Sequence, residues 1–305
     1  MAIDFKPLTP STFVINLAIK NQSELEKVST QIATSNQHQD FKGYAGDGSA
    51  ERLISFKETL SNVENYVTAN TIIKARLDTM NQSVQKIQDI AANFAQLITL
   101  SRNAASGSDI PLAVQGEAAL DSIAAQLNVK FDGRYLFSGS KTDTAAVSDL
   151  NLNTNLNSSN EPTDNYYQGD SSPPSIKVSD FQDVSYGVLA NDPAFQKLIG
   201  AINLAMDGHA AGDDTKLAAA FDMVDDAING LTAVRANIIA STTSVTDATE
   251  IHRSVDLTIT ENIKNISSTD IVEATTTMSN LQALVQATYI AYNRLSQLKL
   301  SNFIN

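Results

Sequence analysis

Apolar residues near both ends of the chain recur at alternating steps of three and four residues. This spacing places them along one side of an α-helix, and such a side needs a partner helix to cover it. The pattern predicts a long helix at each terminus, paired with the other end of the chain or with copies of the same chain. We call these positions the terminal seams. The N-terminal seam comprises Val14, Leu17, Asn21, Leu25, Val28 and Ile32, and the C-terminal seam comprises Ile271, Ala274, Met278, Leu281, Val285, Thr288, Tyr292 and Leu295.

The same periodicity predicts further helices between the two ends. Their expected ranges, with those of the terminal helices, are Ser11 to Asn36, Ser49 to Ser106, Pro111 to Phe131, Pro193 to Gly208, Asp214 to Asn265, and from the capping segment Ser268-Thr269-Asp270 towards the C-terminus. At 1.5 Å rise per residue the second helix would span roughly 85 Å, which is the length of a rod. No proline interrupts residues 51–109 or 214–305, as long helices require.

The middle of the chain predicts short β-structure. Arg134 to Phe137 is strand-like and Ser138 to Lys141 is turn-like, which predicts a β-hairpin that includes Tyr135, Phe137 and Gly139. Residues 145–191 are rich in Asn, Ser, Asp and Pro, and they predict a small β-rich insert. Its candidate strands are Tyr166 to Gln168, Ser175 to Val178 and Tyr186 to Leu189.

Together these patterns predict a mainly α fold. It is a rod of long antiparallel coiled-coil or bundle helices that carries a β-hairpin and a β-rich insert. We divide the chain into an N-terminal coiled-coil helix (1–40), rod helices with the hairpin (41–147), a variable outer insert (148–191), further rod helices (192–266) and a C-terminal coiled-coil helix (267–305).

Charge and composition exclude several partners. The formal net charge is −13, which disfavours binding to a nucleic-acid backbone or to an anionic membrane surface. The chain has no cysteine, so it has neither disulfides nor thiolate chemistry. The N-terminal residues lack the apolar core of a cleaved secretory signal, and no segment approaches the ~20 apolar residues of a membrane span. We therefore expect no nucleic-acid partner and no membrane partner.

Two loops match ligand-binding motifs only in part. Glycines 43, 46 and 48 could form a phosphate-binding loop, but no strand precedes them and no Gly-Lys-Ser/Thr follows, which favours a flexible connector. In the insert, acidic and amide residues alternate as in a calcium loop, but Thr154 replaces its glycine and Asn160 replaces its glutamate, which favours a plain polar loop. These alternating residues are Asp149, Asn151, Asn153 and Asn155.

No constellation of residues predicts catalysis. The acidic cluster at Asp213, Asp214, Asp222, Asp225 and Asp226 could hold a metal, but carboxylates at a helix start are explained by the helix dipole. The histidines, His38, His209 and His252, have no metal-ligand spacing to one another. We expect no cofactor, no metal and no enzyme activity.

Three stretches resemble one family. GRYLFSGSKTDT, from Gly133 to Thr144, resembles the hairpin of bacterial hook-associated protein 3, the hook–filament junction family of the flagellin superfamily. The run from Leu217 to Ala236 resembles its C-terminal rod helix, and the ending from Ser267 resembles the flagellin-type terminal helix. The resemblance covers roughly residues 13–144 and 193–305.

Two departures favour the junction family over the filament flagellins. Common flagellins carry an Arg-Glu-Leu segment on the second helix, whereas this chain has IQDIAANFAQL. Their Ser-Gly, basic, Asp-Asp-Ala-rich stretch after the first helix is replaced by ATSNQHQDFKGYAGDGSAERLISF, whose Tyr44-to-Ile54 pattern is closer to certain junction-protein variants.

The resemblance implies an extracellular structural subunit that joins hook to filament. Family members leave the cell unfolded through the flagellar type III export channel without a cleaved signal. Their terminal helices pair into an inner coiled-coil tube and their insert projects outward. The implied partners are copies of the chain, other axial proteins (hook-associated protein and flagellin) and an export chaperone.

Three alternatives to the junction role stay open. The chain could be a flagellin that forms the filament itself. The insert could instead carry an enzyme, although about 45 residues are few for a catalytic domain and the insert has no histidine. It could also act as an adhesin through Tyr166, Tyr167 and Tyr186.

Overall fold

The computed structural model describes residues 10–103, 110–148, 150 and 155–301. In these residues the chain is mainly helical, as predicted, with short strands in the middle. The helices are α1 (Pro10–Thr34), α2 (Ser49–Arg102), α3 (Leu112–Leu127), α4 (Pro193–Ala211), α5 (Asp214–Ser267) and α6 (Ile271–Ser301), and a 3-10 turn covers Ala45–Asp47. The strands are β1 (Lys130–Phe131), β2 (Arg134–Tyr135), β3 (Ser175–Ser179) and β4 (Gln182–Ser185).

The chain divides into two compact units. The terminal unit combines the two ends, Met1–Asn62 and Val255–Asn305, and the middle unit comprises Val63–Ser254. Both α2 and α5 contribute residues to each unit, because each helix is 54 residues long. Such a helix measures about 80 Å, far longer than the core helix of a compact domain.

The core of the middle unit lies along the predicted apolar side of α2 and α5. Side chains at steps of three and four residues are almost completely buried there, and α3 and α4 cover them. The fully buried members include Leu77, Met80, Val84, Ile87, Phe94 and Ile98 of α2, Leu120 and Ile123 of α3, Phe195 and Ile202 of α4, and Val224, Leu231 and Val245 of α5. The spacing of apolar residues in the sequence was therefore sufficient to predict which side chains form this core.

Side chains cap α4 and α6 as the sequence predicts. Asp192 accepts a hydrogen bond from the backbone N–H of Ala194 and starts α4, with Pro193 in the first turn. Asp270 accepts from the N–H groups of Val272 and Glu273 and starts α6. α4 continues past the predicted end at Gly208 to Ala211, because Gly212 adopts the left-handed conformation (φ 66°) that ends a helix.

The β-hairpin lies earlier than predicted. β1 and β2 pair antiparallel, Lys130 with Tyr135 and Phe131 with Arg134, around a turn at Asp132-Gly133. Both turn residues have positive φ (51° and 74°), as a two-residue hairpin turn requires. Tyr135 therefore belongs to the hairpin, but the expected strand did not extend to Phe137, and α3 ends at Leu127 instead of Phe131.

The predicted turn at Ser138–Lys141 exists but follows the hairpin. Gly139 has φ 71°, and the Ser138 hydroxyl donates to the carbonyl of Lys141, 2.8 Å away. The Asp170 carboxylate accepts hydrogen bonds from the hydroxyl and the N–H of Ser140, and these bonds lower the pKa of Asp170. Since the bonds favour the ionised form, their contribution is present above the unfolded-state pKa and is lost as pH falls through the lowered value.

We expect Gly139→Val to destabilise the middle unit by about 2 kcal/mol or more, since a β-branched residue resists positive φ. A Cβ at this position would also lie 2.8 Å from the carbonyl oxygen of Asp170. Urea unfolding measures the change in free energy. Gly46→Val is the matched control, because its φ is not positive and a Cβ there meets nothing within 4 Å. Equal unfolding free energies for the two variants would contradict this role of Gly139.

The insert contains one of the three predicted strands. β3 (Ser175–Ser179) is found, and it pairs antiparallel with β4 (Gln182–Ser185), which lies before the predicted Tyr186–Leu189 strand. The predicted Tyr166–Gln168 strand is wrong, because only Tyr167 pairs, in a single bridge with Val147. Tyr166 at the first place is buried and Tyr186, Val188 and Leu189 at the second are partly buried, all in irregular backbone and not in a sheet.

Candidate assembly interface

The two terminal seams meet within one chain. α1 and α6 pack antiparallel, since the Asn21 amide donates to the Thr288 hydroxyl at 3.5 Å while Thr269 donates its N–H to Ser35 at the opposite end. The sequence allowed α1 to pair with α6 of its own chain or with a helix of another copy. In the monomer, α1 pairs with α6 of the same chain. The role of these residues as an assembly interface stays a prediction.

Most seam residues are at least half-buried, but few are fully buried. Val28, Ala274 and Thr288 are buried. Half-buried members are Val14, Asn21, Leu25, Ile32, Met278, Leu281, Val285 and Leu295, and the outermost members, Leu17, Ile271 and Tyr292, stay about 40% exposed. Two helices alone cannot enclose their own contact, so the pair is the less protected part of the fold.

The linkers at the base of this pair are bonded to each other. Gln37 donates its N–H to the carbonyl of Ser267 at 2.8 Å, and Thr269 donates to Ser35 at 3.0 Å. The buried Tyr44 directs its hydroxyl at the carbonyls of His38 and Ser267. Tyr44 therefore links the glycine-rich segment to the base of the terminal pair, and the expectation of a flexible connector stays a prediction.

Each terminal helix carries apolar residues on its other side as well. Ile19 lies nine residues before Val28, and Ile290 lies nine residues after Leu281. Nine residues are two and a half helical turns, which places both on the side opposite to the seam. Ile19 is 62% exposed and Ile290 is 56% exposed. With Ile15 and Val272, also exposed, they form what we call the outer face.

Ile290 of the outer face lies in a stretch of α6 that lacks charge. The twenty residues of α6 from position 274 to position 293 include no Asp, Glu, Lys or Arg. A solvated helix face is normally charged, whereas an interface core is depleted of charge. No helix in the described part of the chain is long and apolar enough to cross a membrane.

Two of the three insert tyrosines considered for adhesion are used inside the fold. Tyr166 is buried, its hydroxyl donates to the carbonyl of Ala190 at 2.9 Å, and burial raises its pKa. Tyr167 donates to the carbonyl of Asp170 at 2.7 Å, and burial raises its pKa to about 12. Neither hydroxyl is available to an external ligand.

The candidate metal residues are dispersed. Asp213 accepts from the hydroxyl and N–H of Thr215, and its pKa is lowered chiefly by that hydroxyl, as expected of a helix cap. Asp226 pairs with Lys197 and Asp214 with Arg102, both at 3.0 Å. Across the described ranges, no three His, Cys, Asp or Glu side chains are grouped to hold a metal ion.

The remaining candidates are separated from one another. His209 contacts Ser101 at 2.9 Å, His252 stacks on Tyr66 and His38 contacts Tyr44 edge-on. Of the calcium-like loop, Asp149, Asn151 and Asn153 lie outside the described residues. Asn155 is buried and donates to the carbonyl of Leu150 at 2.7 Å.

We expect amide hydrogens of α1 and α6 to exchange faster than those of residues 73–98 of α2 in the dilute monomer. The reason is that most seam residues are only half-buried, whereas the core face of α2 is almost fully buried. Hydrogen exchange read by mass spectrometry compares the segments. Equal protection of both would contradict the view that the terminal pair is the less stable unit.

Comparison with known proteins gives the class of fold. No family model matches the chain, and no curated protein matches it. Solved structures do match. Two of them are named a flagellar hook-associated protein and FlgL. The chain therefore has the fold of flagellar hook-associated proteins, as the sequence resemblance implied.

Two of these structures illustrate the likeness. A flagellar hook-associated protein from Vibrio parahaemolyticus is 15% identical with a TM-score of 0.61, and the match covers 73% of this chain and 99% of that one. FlgL from Bacillus cereus is 16% identical with a TM-score of 0.51, and the match covers 71% of this chain and 99% of that one. At such identity the likeness concerns the fold.

Proposed function

We propose that this chain is a structural subunit of the bacterial flagellum, located outside the cell and built into the junction between hook and filament. The observation that carries the proposal is the outer face of the terminal helices, whose isoleucine and valine side chains are exposed in the monomer and whose Ile290 lies in a twenty-residue stretch of α6 without charged residues. The fold likeness to two flagellar proteins supports the flagellar setting. An assembly role requires no catalytic group and no cofactor.

Assembly follows from the two sides of each terminal helix. The seams hold α1 against α6, and the outer face then packs against the terminal helices of neighbouring copies. Burying one exposed isoleucine contributes roughly 1.5–3 kcal/mol, and the contribution recurs in every subunit of a helical array. The same face would need cover before assembly, which is a role for an export chaperone.

The junction is preferred to the filament because the two similar structures are named a flagellar hook-associated protein and FlgL, not a flagellin, and because the second helix lacks the Arg-Glu-Leu segment of common flagellins. Electron microscopy with gold-labelled antibody to the insert tests the choice. We expect a single band at the distal end of the hook. Label along the whole filament would identify a flagellin, and label elsewhere on the cell would overturn the flagellar proposal.

A further inference from the structure

The apolar core of the middle unit ends before the unit itself does. In α2 the first buried member of this core is Ile73, and in α5 the last is Ala248. The unit continues along α2 to residue 63 and along α5 to residue 254, and we call residues 63–72 and 249–254 the helix extensions. All residues of the extensions are described, and three are buried: the apolar Val63 and the polar Asn70 and Thr249. Apolar packing therefore contributes less to the extensions than to the core.

The β3–β4 hairpin has an irregular register at Val178. Lys177 pairs with Asp183 and Ser179 pairs with Gln182, so the ladder shifts between these pairs and Val178 has no partner of its own in β4. A bulge of this kind leaves the extra residue out of the ladder and redirects it. The Val178 side chain is fully buried. Its carbonyl is available to groups outside the hairpin.

The Val178 carbonyl accepts hydrogen bonds from both long helices. Asn70 of α2 donates through its side-chain Nδ2 at 3.3 Å, and the ring Nε2 of His252 of α5 lies 2.8 Å away. Since a carbonyl can only accept, the Nε2 of His252 carries a proton and donates it to this bond. A carbonyl oxygen has two lone pairs, so a single backbone group of the hairpin joins α2 to α5.

Further contacts hold both ends of the hairpin against the same two helices. At its turn, the Tyr66 hydroxyl of α2 donates to the Asp180 carboxylate at 2.8 Å. The Tyr66 ring stacks on the imidazole of His252, with centroids 4.9 Å apart and planes 3° apart. At the other end of β4, the Ser241 hydroxyl of α5 donates to the Ser185 carbonyl at 3.2 Å. The hairpin is therefore bonded along its length.

Asn70 stands at an apolar position of its helix. It follows Val63 by seven residues and precedes Leu77 by seven, and both of these side chains are buried. A buried amide in such a series costs stability, and its best-established effect is to select one partner over others. The partner of Asn70 here is the backbone of the hairpin and not a neighbouring helix. Asn70 thus directs the insert onto α2.

We propose that the β3–β4 hairpin is a clasp that holds the helix extensions of α2 and α5 together. The clasp limits local opening of the middle unit at the place where its apolar core ends. The insert is then a structural part of the long helix pair and not only a projection from it. The inference concerns the monomer, so it does not rest on the proposed assembly.

Hydrogen exchange of the full-length monomer, read by mass spectrometry, tests the clasp. Asn70→Leu combined with His252→Leu removes both donors to the Val178 carbonyl and keeps side chains of comparable size. We expect amides of the helix extensions to exchange on the order of tenfold faster, the effect of losing two ordinary hydrogen bonds. Amides of residues 77–98, in the core of the unit, should exchange as in the parent.

Two further variants serve as controls. Thr68→Leu combined with Arg253→Leu places the same new side chains at exposed positions, within two residues of those changed above, and should leave the exchange of the extensions unchanged. His252→Gln replaces the imidazole by an amide that can still donate to the Val178 carbonyl. It should keep the extensions close to parental protection.

The distribution of the change decides the outcome. If only β3 and β4 exchange faster while the extensions keep parental rates, the hairpin merely rests on the helices and the inference is overturned. Faster exchange throughout residues 77–98 would mean a general loss of stability, which also contradicts a local clasp. If His252→Gln loses as much protection as the double leucine variant, the bond to Val178 does not hold the extensions.

A change in the hairpin alone provides an independent test. Asp180→Ala removes the acceptor of the Tyr66 hydroxyl and alters neither helix. We expect amides of residues 63–72 to exchange a few-fold faster, as for the loss of one hydrogen bond. Asp183→Ala, which removes an exposed carboxylate from β4, is the control and should have no such effect. Parental exchange of residues 63–72 in Asp180→Ala would overturn the claim that the hairpin restrains α2.

Discussion

We expect Leu281→Asp to separate the paired terminal helices and to abolish assembly. Leu281 is half-buried in the C-terminal seam, so the new carboxylate is partly desolvated and has no designated partner, at a cost of several kcal/mol. The pair has little burial elsewhere to offset this cost, because only three seam positions are fully covered, Val28, Ala274 and Thr288. The middle unit keeps its own core and stays folded.

Circular dichroism and electron microscopy measure the two effects of Leu281→Asp. The helical signal should fall by up to the 56 residues of the terminal pair, 25 in α1 and 31 in α6. Gln282→Asp is the matched control, since Gln282 is exposed, and it should retain both helicity and assembly. If Leu281→Asp keeps the parental spectrum and still assembles, the seam does not hold the helices together.

Ile290→Asp has a different expected result: assembly is lost and the monomer is unchanged. Ile290 lies on the outer face, in solvent, so a charge there costs nothing until a neighbouring copy covers it. Covering an unpaired charge then costs several kcal/mol, which recurs at each subunit. Sedimentation should find only monomer, while circular dichroism matches the parent.

Ile290→Leu is the control for the outer face, because it keeps an apolar side chain of equal size and should assemble. Ile19→Asp, on the outer face of α1, should behave like Ile290→Asp. Normal assembly of both aspartate variants would mean that the outer face stays in solvent, and the proposed function would lose the observation that carries it.

The long helices could be predicted from the sequence because periodicity, proline spacing and caps agreed. Asp192-Pro193 and Asp270 marked helix starts that the structure reproduces, and the apolar steps along α2 and α5 identified the core. These segments could be predicted because their local sequence signals, the periodicity and the caps, agree with their tertiary packing.

The short strands were harder to predict from the sequence, because a strand of two residues has almost no periodicity. Asp132-Gly133 is a recognised signal for a tight hairpin turn, and it would have located β1 and β2 correctly. In the insert, Tyr186 and Leu189 line a groove and not a sheet, and an apolar run alone does not distinguish the two environments.

Only one part of the candidate interface, the seams, could be predicted from the sequence. A seam indicates that a helix needs a partner, but it does not identify the chain that supplies it. The outer face was missed because Ile19 and Ile290 lie opposite the seam on their helices, and only the folded helix pair shows that these side chains stay exposed. The twenty-residue stretch of α6 without charge was the available signal.

The pairing of α1 with α6 also determines when the terminal unit can complete its folding. The contact between Asn21 and Thr288 joins residues 267 positions apart, so the first helix of the chain has no partner until the last one has been made. Contacts of such separation form late in folding. A chain that is cut short before α6 leaves the seam of α1 uncovered and its linker unbonded, whatever the state of the middle unit. If the outer face joins neighbouring copies as proposed, only a chain that contains both α1 and α6 can present that face on a paired terminal unit.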